Sequence, residues 1–134
     1  AELIKREVGN LYHGIRSNSV EIRGSDLITG LPSERVVTSE EITEPLIETA
    51  MPILDGIHAV LEETPPELSA DIYGKGIVMT GGGALIAGFD ELVRKSTGVD
   101  VTVAEDPQHC VVRGSIQLLN EMDASKKSKY AIRK

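Results

Sequence analysis

Three adjacent glycines, Gly81, Gly82 and Gly83, are the residues whose type and placement point most directly to chemistry. They follow the apolar, β-branched run Ile77-Val78-Met79, which is too short for a helix and reads as a strand buried on both faces. Ala84 to Lys95 then places Leu85, Ile86, Phe89, Leu92 and Val93 at helical spacing. A strand that runs through a glycine turn into a helix builds a backbone anion site. Without Cβ atoms the main chain can be approached closely, and the first N–H groups of the helix lack partners within it, at the positive end of its dipole. Phosphate is the natural guest. The competing reading is a tight strand-to-helix turn that binds nothing.

A second set of polar groups opens the chain. Glu2, Lys5 and Arg6 stand at i, i+3 and i+4 and share one helical face. A carboxylate and an ammonium so placed can take the two hydroxyls of a ribose, and a guanidinium plane can lie against an adenine ring. Charge pairing on a solvated face accounts for the same spacing. Neither familiar phosphate loop is present. G-x-G-x-x-G started at Gly81 requires glycine where Ile86 stands, and Gly83-Ala84-Leu85 lacks the Lys and hydroxyl of a Walker loop. His109-Cys110 is a catalytic pair only on paper, since adjacent helical residues point about 100° apart. His58 has no second ligand at i+4 and reads as a surface or packing residue.

The elements that must position these groups follow from the patterning. Ile4, Val8, Leu11 and Tyr12 form a helical stripe, and the absence of a capping residue before it predicts a helix whose start lies upstream. Val20-Glu21-Ile22, Leu27-Ile28-Thr29 and Arg35-Val36-Val37, separated by Gly24-Ser25-Asp26 and Gly30-Leu31-Pro32, predict three short strands of a small antiparallel sheet. Thr38 and Glu41 make a capping box for a helix striped by Ile42, Leu46, Ala50, Ile53, Ile57 and Val60. Pro45 and Pro52 predict a kink or interruption in it. Thr64-Pro65-Pro66 ends that helix, and a short helical turn from Glu67 to Ile72 leads to the central strand. Val101-Thr102-Val103 is the next strand, so strand, helix, strand implies a parallel pair. Asp106-Pro107 then opens a helix to about Asn120 that packs through Val111, Val112, Ile116, Leu118 and Leu119. The fold class is α/β, an α+β fragment with a parallel strand–helix–strand core and a small antiparallel β subdomain.

A chain of 134 residues with 40% apolar content can bury a core. A formal net charge of −7 and 3% aromatic residues argue against nucleic acid as a partner. A single cysteine, Cys110, excludes an internal disulfide and suits a reducing compartment. No apolar run reaches the roughly 20 residues of a membrane span, so the expectation is a cytoplasmic chain. From Glu121 onward the periodicity is lost and Lys126, Lys127, Lys129, Arg133 and Lys134 gather, predicting a basic, disordered tail over 121–134. Attraction of that tail to an anionic membrane is the other reading.

The stretch GIVMTGGGALIAGFDEL resembles the second-domain nucleotide motif of the actin, sugar-kinase and heat-shock-chaperone ATPase superfamily. AELIKREVG, EIRGSDLITGLP and ETPPELSADI make the chain, up to about Glu121, similar to the bacterial actin homologues of the MreB and Mbl family. The resemblance implies a partial actin-like ATPase domain, with 1–37 in a small subdomain and 38–120 in the large nucleotide-binding one. It carries ribose binding onto Glu2 and Lys5 and the base onto Arg6, and makes Gly81, Gly82, Gly83, Ala84, Leu85 and Ile86 nucleotide-binding. ATP is the implied cofactor. No residue here is expected to be catalytic or to bind metal; Mg2+ ligands are expected elsewhere in the intact protein, which would be a weak ATPase, with this stretch alone inactive. The implied partners are further copies of itself and the cell-wall elongation machinery at the inner face of the membrane. The family's pattern after Cys110 is V-A-x-G, and Val111-Val112-Arg113-Gly114 departs from it in the larger Val112. The alternative class is a sugar- or acetate-type kinase on the same fold.

Overall fold

In the computed structural model, residues 2–15 and 17–131 are described, with the backbone alone over 123–131. The chain runs α1 (Glu2–Val8), β1 (Ser19–Ser25), β2 (Pro32–Thr38), α2 (Ser39–Glu63), α3 (Pro66–Lys75), β3 (Ile77–Met79), a 3-10 turn (Gly82–Leu85), α4 (Phe89–Thr97), β4 (Val101–Val103) and α5 (Cys110–Ala131). Two small sheets result. β1 and β2 pair antiparallel from Ser19↔Thr38 to Ser25↔Pro32, and β3 and β4 pair parallel with Met79 opposite Val103.

The parallel unit holds the core. Ala50 and Leu54 of α2, Phe89 and Val93 of α4, Val101 of β4 and Leu11 form one buried cluster, with Ile77, Met79, Ile86 and Leu92 packed against it. Apolar surface removed from water at about 25 cal/mol per Å² is what fixes α4 and α2 against the strands. The strand is not covered on both faces as its composition suggested. Val78 is 62% exposed, because among the described residues helices pack on one side of this two-stranded sheet.

Helix α2 opens with the expected capping box: Glu41 N–H donates to Thr38 Oγ1, and Thr38 N–H donates to Glu41 Oε2. Despite Pro45 and Pro52 it is one continuous 25-residue helix rather than an interrupted one. Each proline removes a single ladder bond, and burial of Ala50 and Leu54 on either side of Pro52 holds the helix through both. Its buried face is set by Thr43, Ala50 and Leu54; Ile53 and Val60 of the expected stripe are exposed. Glu67 to Ile72 is part of a ten-residue helix, α3, rather than a short turn.

The antiparallel sheet has two strands rather than three. Leu27-Ile28-Thr29 forms the tip of the hairpin, because Asp26 Oδ1 accepts from the N–H groups of both Ile28 and Thr29 and curls the chain there. The root of the hairpin is tied to α1: Asn18 Nδ2 donates to Glu7 O, and Ser39 Oγ, buried, donates to Asn18 O.

The first helix stops at Val8, earlier than its stripe suggested. Beyond it Leu11 N–H donates to Ala87 O at 2.8 Å and Asn10 bridges Ala87, so this segment gives up helical bonding to pair with the strand-like residue before α4. Helix α5 differs most from expectation. It begins at Cys110, not Pro107, and runs to Ala131, beyond Asn120 and through most of the stretch expected to be disordered. Residues 121–131 contain neither Gly nor Pro to stop it. Lys126, Lys127, Lys129, Arg133 and Lys134 lie outside the described side chains. Val111, Val112, Ile116, Leu118 and Leu119, expected to pack, are exposed. A 22-residue helix is about 33 Å long, against about 10 Å for three-residue strands.

Candidate functional site

Helix α1 presents its charges as a paired set. Lys5 Nζ lies 3.0 Å from Glu2 Oε2, and Arg6 Nε lies 3.5 Å from Glu2 Oε1. The Lys5 ammonium, hydrogen-bonded to the Glu2 carboxyl, holds it below the usual carboxylate range, with the charges of Lys5 and Arg6 adding to the effect. Glu2 is therefore an ionised acceptor at neutral pH, flanked by two cations. The groups pair with one another, and they also line a cleft.

That cleft, about 430 Å³, is walled by Glu2, Lys5 and Arg6 on one side and by Gly82, Gly83, Leu85 and Ile86 on the other, with Gln108 beside them. The glycine segment is not the first turn of the following helix. Gly82–Leu85 is a 3-10 turn, Ile86 is extended, and α4 begins only at Phe89. The break arises because Ala87 is used to pair with Asn10 and Leu11, which a continuous helix from Ala84 would forbid.

This geometry sorts the glycines. Gly81, at φ +83°, makes the reversal after β3 that a side chain would strain, and its N–H donates to Pro107 O at 2.7 Å. Ala84 is buried and its N–H donates to Gly81 O. Gly81 and Ala84 thus stand behind the cleft and support it. The N–H groups of Gly82 and Gly83 donate to no carbonyl among the described residues, so these two are the backbone donors left to a ligand. Leu85 and Ile86 give the apolar part of the wall.

Gln108 is the lining residue that sequence reasoning missed. It belongs to no motif, and the available signal was topological: parallel strands deliver the turns after β3 and β4 to the same edge of the sheet, where ligands of such sheets sit. Near it, Asp106 is held at φ +50° with Oδ1 2.7 Å from His109 Nδ1 and Oδ2 2.8 Å from Arg113 Nη2. The hydrogen bond from His109 keeps the Asp106 carboxyl below its ordinary range. The Asp106 carboxylate therefore holds the start of α5 through two side chains, His109 and Arg113. His109 and Cys110 diverge as their spacing requires: the imidazole meets Asp106, and the thiol points at the Glu105 and Asp106 carbonyls. His58 is a packing residue, with Nε2 2.7 Å from Ser96 Oγ. A depression of about 450 Å³ on α5, at Arg113, Ile116, Gln117, Asn120 and Glu121, is formed by one helix and gathers no comparable set of groups. Among the described residues no three or more His, Cys, Asp or Glu side chains converge as metal ligands, and no helix is long and apolar enough to cross a membrane.

A parallel strand, glycine turn, helix and strand, edged by a β-hairpin and a short charged helix, is an actin-like fold. It superposes with a TM-score of 0.87 and 33% identity on the crystal structure of MreB 5 of Spiroplasma citri bound to AMPPNP, over 96% of this chain and 38% of that one. The ADP-bound structure of the same protein matches with a TM-score of 0.86 and 34% identity. The sequence profile of the MreB/Mbl protein family matches residues 1–127, and the chain belongs to that family. Among its relatives, the cell shape-determining protein Mbl of Bacillus cereus is 50% identical over 123 residues, which cover 92% of this chain and 37% of the relative. The cell shape-determining protein MreB of Escherichia coli K12 is 43% identical over 123 residues, covering 92% of this chain and 35% of the relative. The chain therefore spans little more than a third of the length of these relatives. The matches bear out the resemblance to the MreB and Mbl family and lend the kinase alternative no support.

Proposed function

We propose that this chain supplies the adenosine- and phosphate-binding half of the second domain of an ATP-binding, filament-forming protein that sets rod cell shape by organising cell-wall synthesis. The observation that carries the reading is the cleft itself, where two stretches far apart in sequence, Glu2-Lys5-Arg6 and Gly82-Gly83, face one another. An ionised carboxylate next to an ammonium suits the vicinal hydroxyls of a ribose, a guanidinium plane suits a purine face, and two unpartnered backbone N–H groups suit a phosphate. All three kinds of group line the one cleft, which is what supports the reading.

In this reading the hairpin and α1, over 1–37, belong to the small subdomain, and 38–120 to the large one. The groups that would bind Mg2+ and position water for phosphoryl transfer are assigned to the rest of the protein, and among the described residues no metal-ligating cluster of His, Cys, Asp or Glu forms. The intact protein acts as a weak ATPase whose partners are copies of itself and, at the inner face of the membrane, the cell-wall elongation machinery. Pelleting of the full-length protein with ATP, ADP or no nucleotide, in parallel with equilibrium nucleotide binding, tests the proposal. ATP-dependent sedimentation with binding at this cleft is expected. Absence of nucleotide binding by folded full-length protein, or turnover that requires a small phosphoryl acceptor, would overturn it.

A further inference from the structure

The turn after β4 places one polar side chain in the cleft that the ribose, base and backbone assignments leave unused. Because β3 and β4 are parallel and Met79 stands opposite Val103, both segments leave the sheet at the same edge. Two backbone hydrogen bonds hold them together there, Ala104 N–H to Met79 O at 3.0 Å and Gly81 N–H to Pro107 O at 2.7 Å. Gln108 comes next. Its backbone is thus anchored to the glycine turn on one side and to the Asp106–His109–Arg113 cluster on the other. Its carboxamide nitrogen lies 3.4 Å from where a Cβ on Gly82 would stand. Among the cleft's described lining residues it is the one uncharged polar side chain, and its carboxamide makes no hydrogen bond to a described residue, whereas Glu2 is already engaged by Lys5 and Arg6.

We propose that Gln108 is a further ligand-contacting residue, whose Nε2–H donates to the phosphate oxygen seated on the Gly82 and Gly83 N–H groups. The inference rests on the nucleotide reading of this cleft. A carboxamide adds a third donor to the same oxyanion without adding charge, so its contribution follows the phosphate chain and not the nucleoside. Gln108 therefore makes the site discriminate for phosphorylated ligands, while Glu2 and Lys5 act on every ligand that carries the ribose.

The test is equilibrium binding of adenosine, AMP, ADP and ATP to the full-length protein and to its Gln108→Leu and Gln108→Glu variants, with thermal melting of each. Gln108→Leu should weaken ADP and ATP by roughly tenfold and leave adenosine unchanged, the usual loss of one hydrogen bond to a charged group. Gln108→Glu should weaken binding further with each added phosphate, and more at low salt, because it sets a carboxylate against the chain. Variants that melt as wild type and bind ADP and ATP as wild type overturn the assignment, as does an equal loss of adenosine. Gly82→Val and Glu2→Ala measured alongside separate the two failures. Loss of affinity in those with none in the Gln108 variants removes only Gln108, whereas no loss in any of the four removes the nucleotide reading too.

Discussion

Gly88 and Tyr12 meet so closely that a Cβ on Gly88 would stand 2.7 Å from Tyr12 Cβ and 2.9 Å from the Tyr12 backbone nitrogen. Beside this contact Leu11 N–H donates to Ala87 O. Together they dock the segment after α1 onto the residues that lead into α4. The charged face of α1 is thereby held across the cleft from the glycine turn, so the site depends on a packing contact some distance from it. The ring of Tyr12 also carries Lys95 Nζ at 5.3 Å from its centroid, a surface cation–π contact.

Gly88→Ala should therefore cost stability. Gly88 has φ +77°, where a side chain is strained, and the added methyl also meets backbone that cannot step aside. The two effects together amount to about 2–4 kcal/mol. Urea unfolding of the full-length protein measures it, and an unchanged midpoint would show that the α1 segment yields at no cost.

The capping box offers a second test. Thr38→Ala removes the acceptor for Glu41 N–H and should cost about 1 kcal/mol. The Thr38 N–H, followed by Arg35, holds the Glu41 carboxyl below its ordinary value of 4.5. A carboxyl depressed in the folded state contributes stability that is present above its unfolded value and is lost as pH falls through its folded one. The stability gap between wild type and Glu41→Gln should accordingly be constant near neutrality and close below about pH 4. A gap that persists to pH 2 would mean that the substituted carboxamide caps the helix differently rather than less.

What could be read from the sequence was whatever a local rule decides. The capping box, the β3–β4 pairing and the Glu2-Lys5-Arg6 face all follow from short-range patterns of residue type. Misreadings occurred where a distant partner overrode a local propensity. Ala87 pairs with Asn10 and Leu11, which ends α1 at Val8 and delays α4 to Phe89; periodicity cannot see such a bridge. Asp26 curls Leu27-Ile28-Thr29 into a hairpin tip although those residues have strand composition. In the site, the three glycines looked equivalent, yet the Gly81 N–H is taken up by Pro107 O, a contact between turns that only the parallel sheet brings together. Gln108 was invisible for the same reason.

Glu2→Ala and Lys5→Ala, made in the full-length protein, should each weaken ATP binding by roughly tenfold, as expected when a charged hydrogen-bond partner is removed. Their mutual ion pair is exposed, so its loss should leave melting almost unchanged. Adenosine should be weakened in parallel with ATP, because the proposed reading puts both residues on the ribose. Unaltered nucleotide affinity in both variants would reduce the α1 face to charge pairing on a solvated surface.

Gly82→Val tests the turn most directly, and the geometry makes it a cleaner probe than substitution at Gly81 or Gly88. Gly81 has a positive φ and Gly88 has backbone against it, so substitution at either confounds folding with binding. Gly82 has neither. Its φ is not in the left-handed region, and a Cβ there would meet only the flexible Gln108 side chain, at 3.4 Å. The fold should therefore accept valine with a small change in melting, while the side chain occupies the cleft in front of the two free N–H groups. ATP binding and ATP-dependent sedimentation should fall together, by far more than for a remote surface change. Nucleotide affinity measured beside thermal melting decides the matter: a Gly82→Val protein that stays folded and binds ATP as wild type would make the turn a structural corner and leave the cleft without its phosphate site.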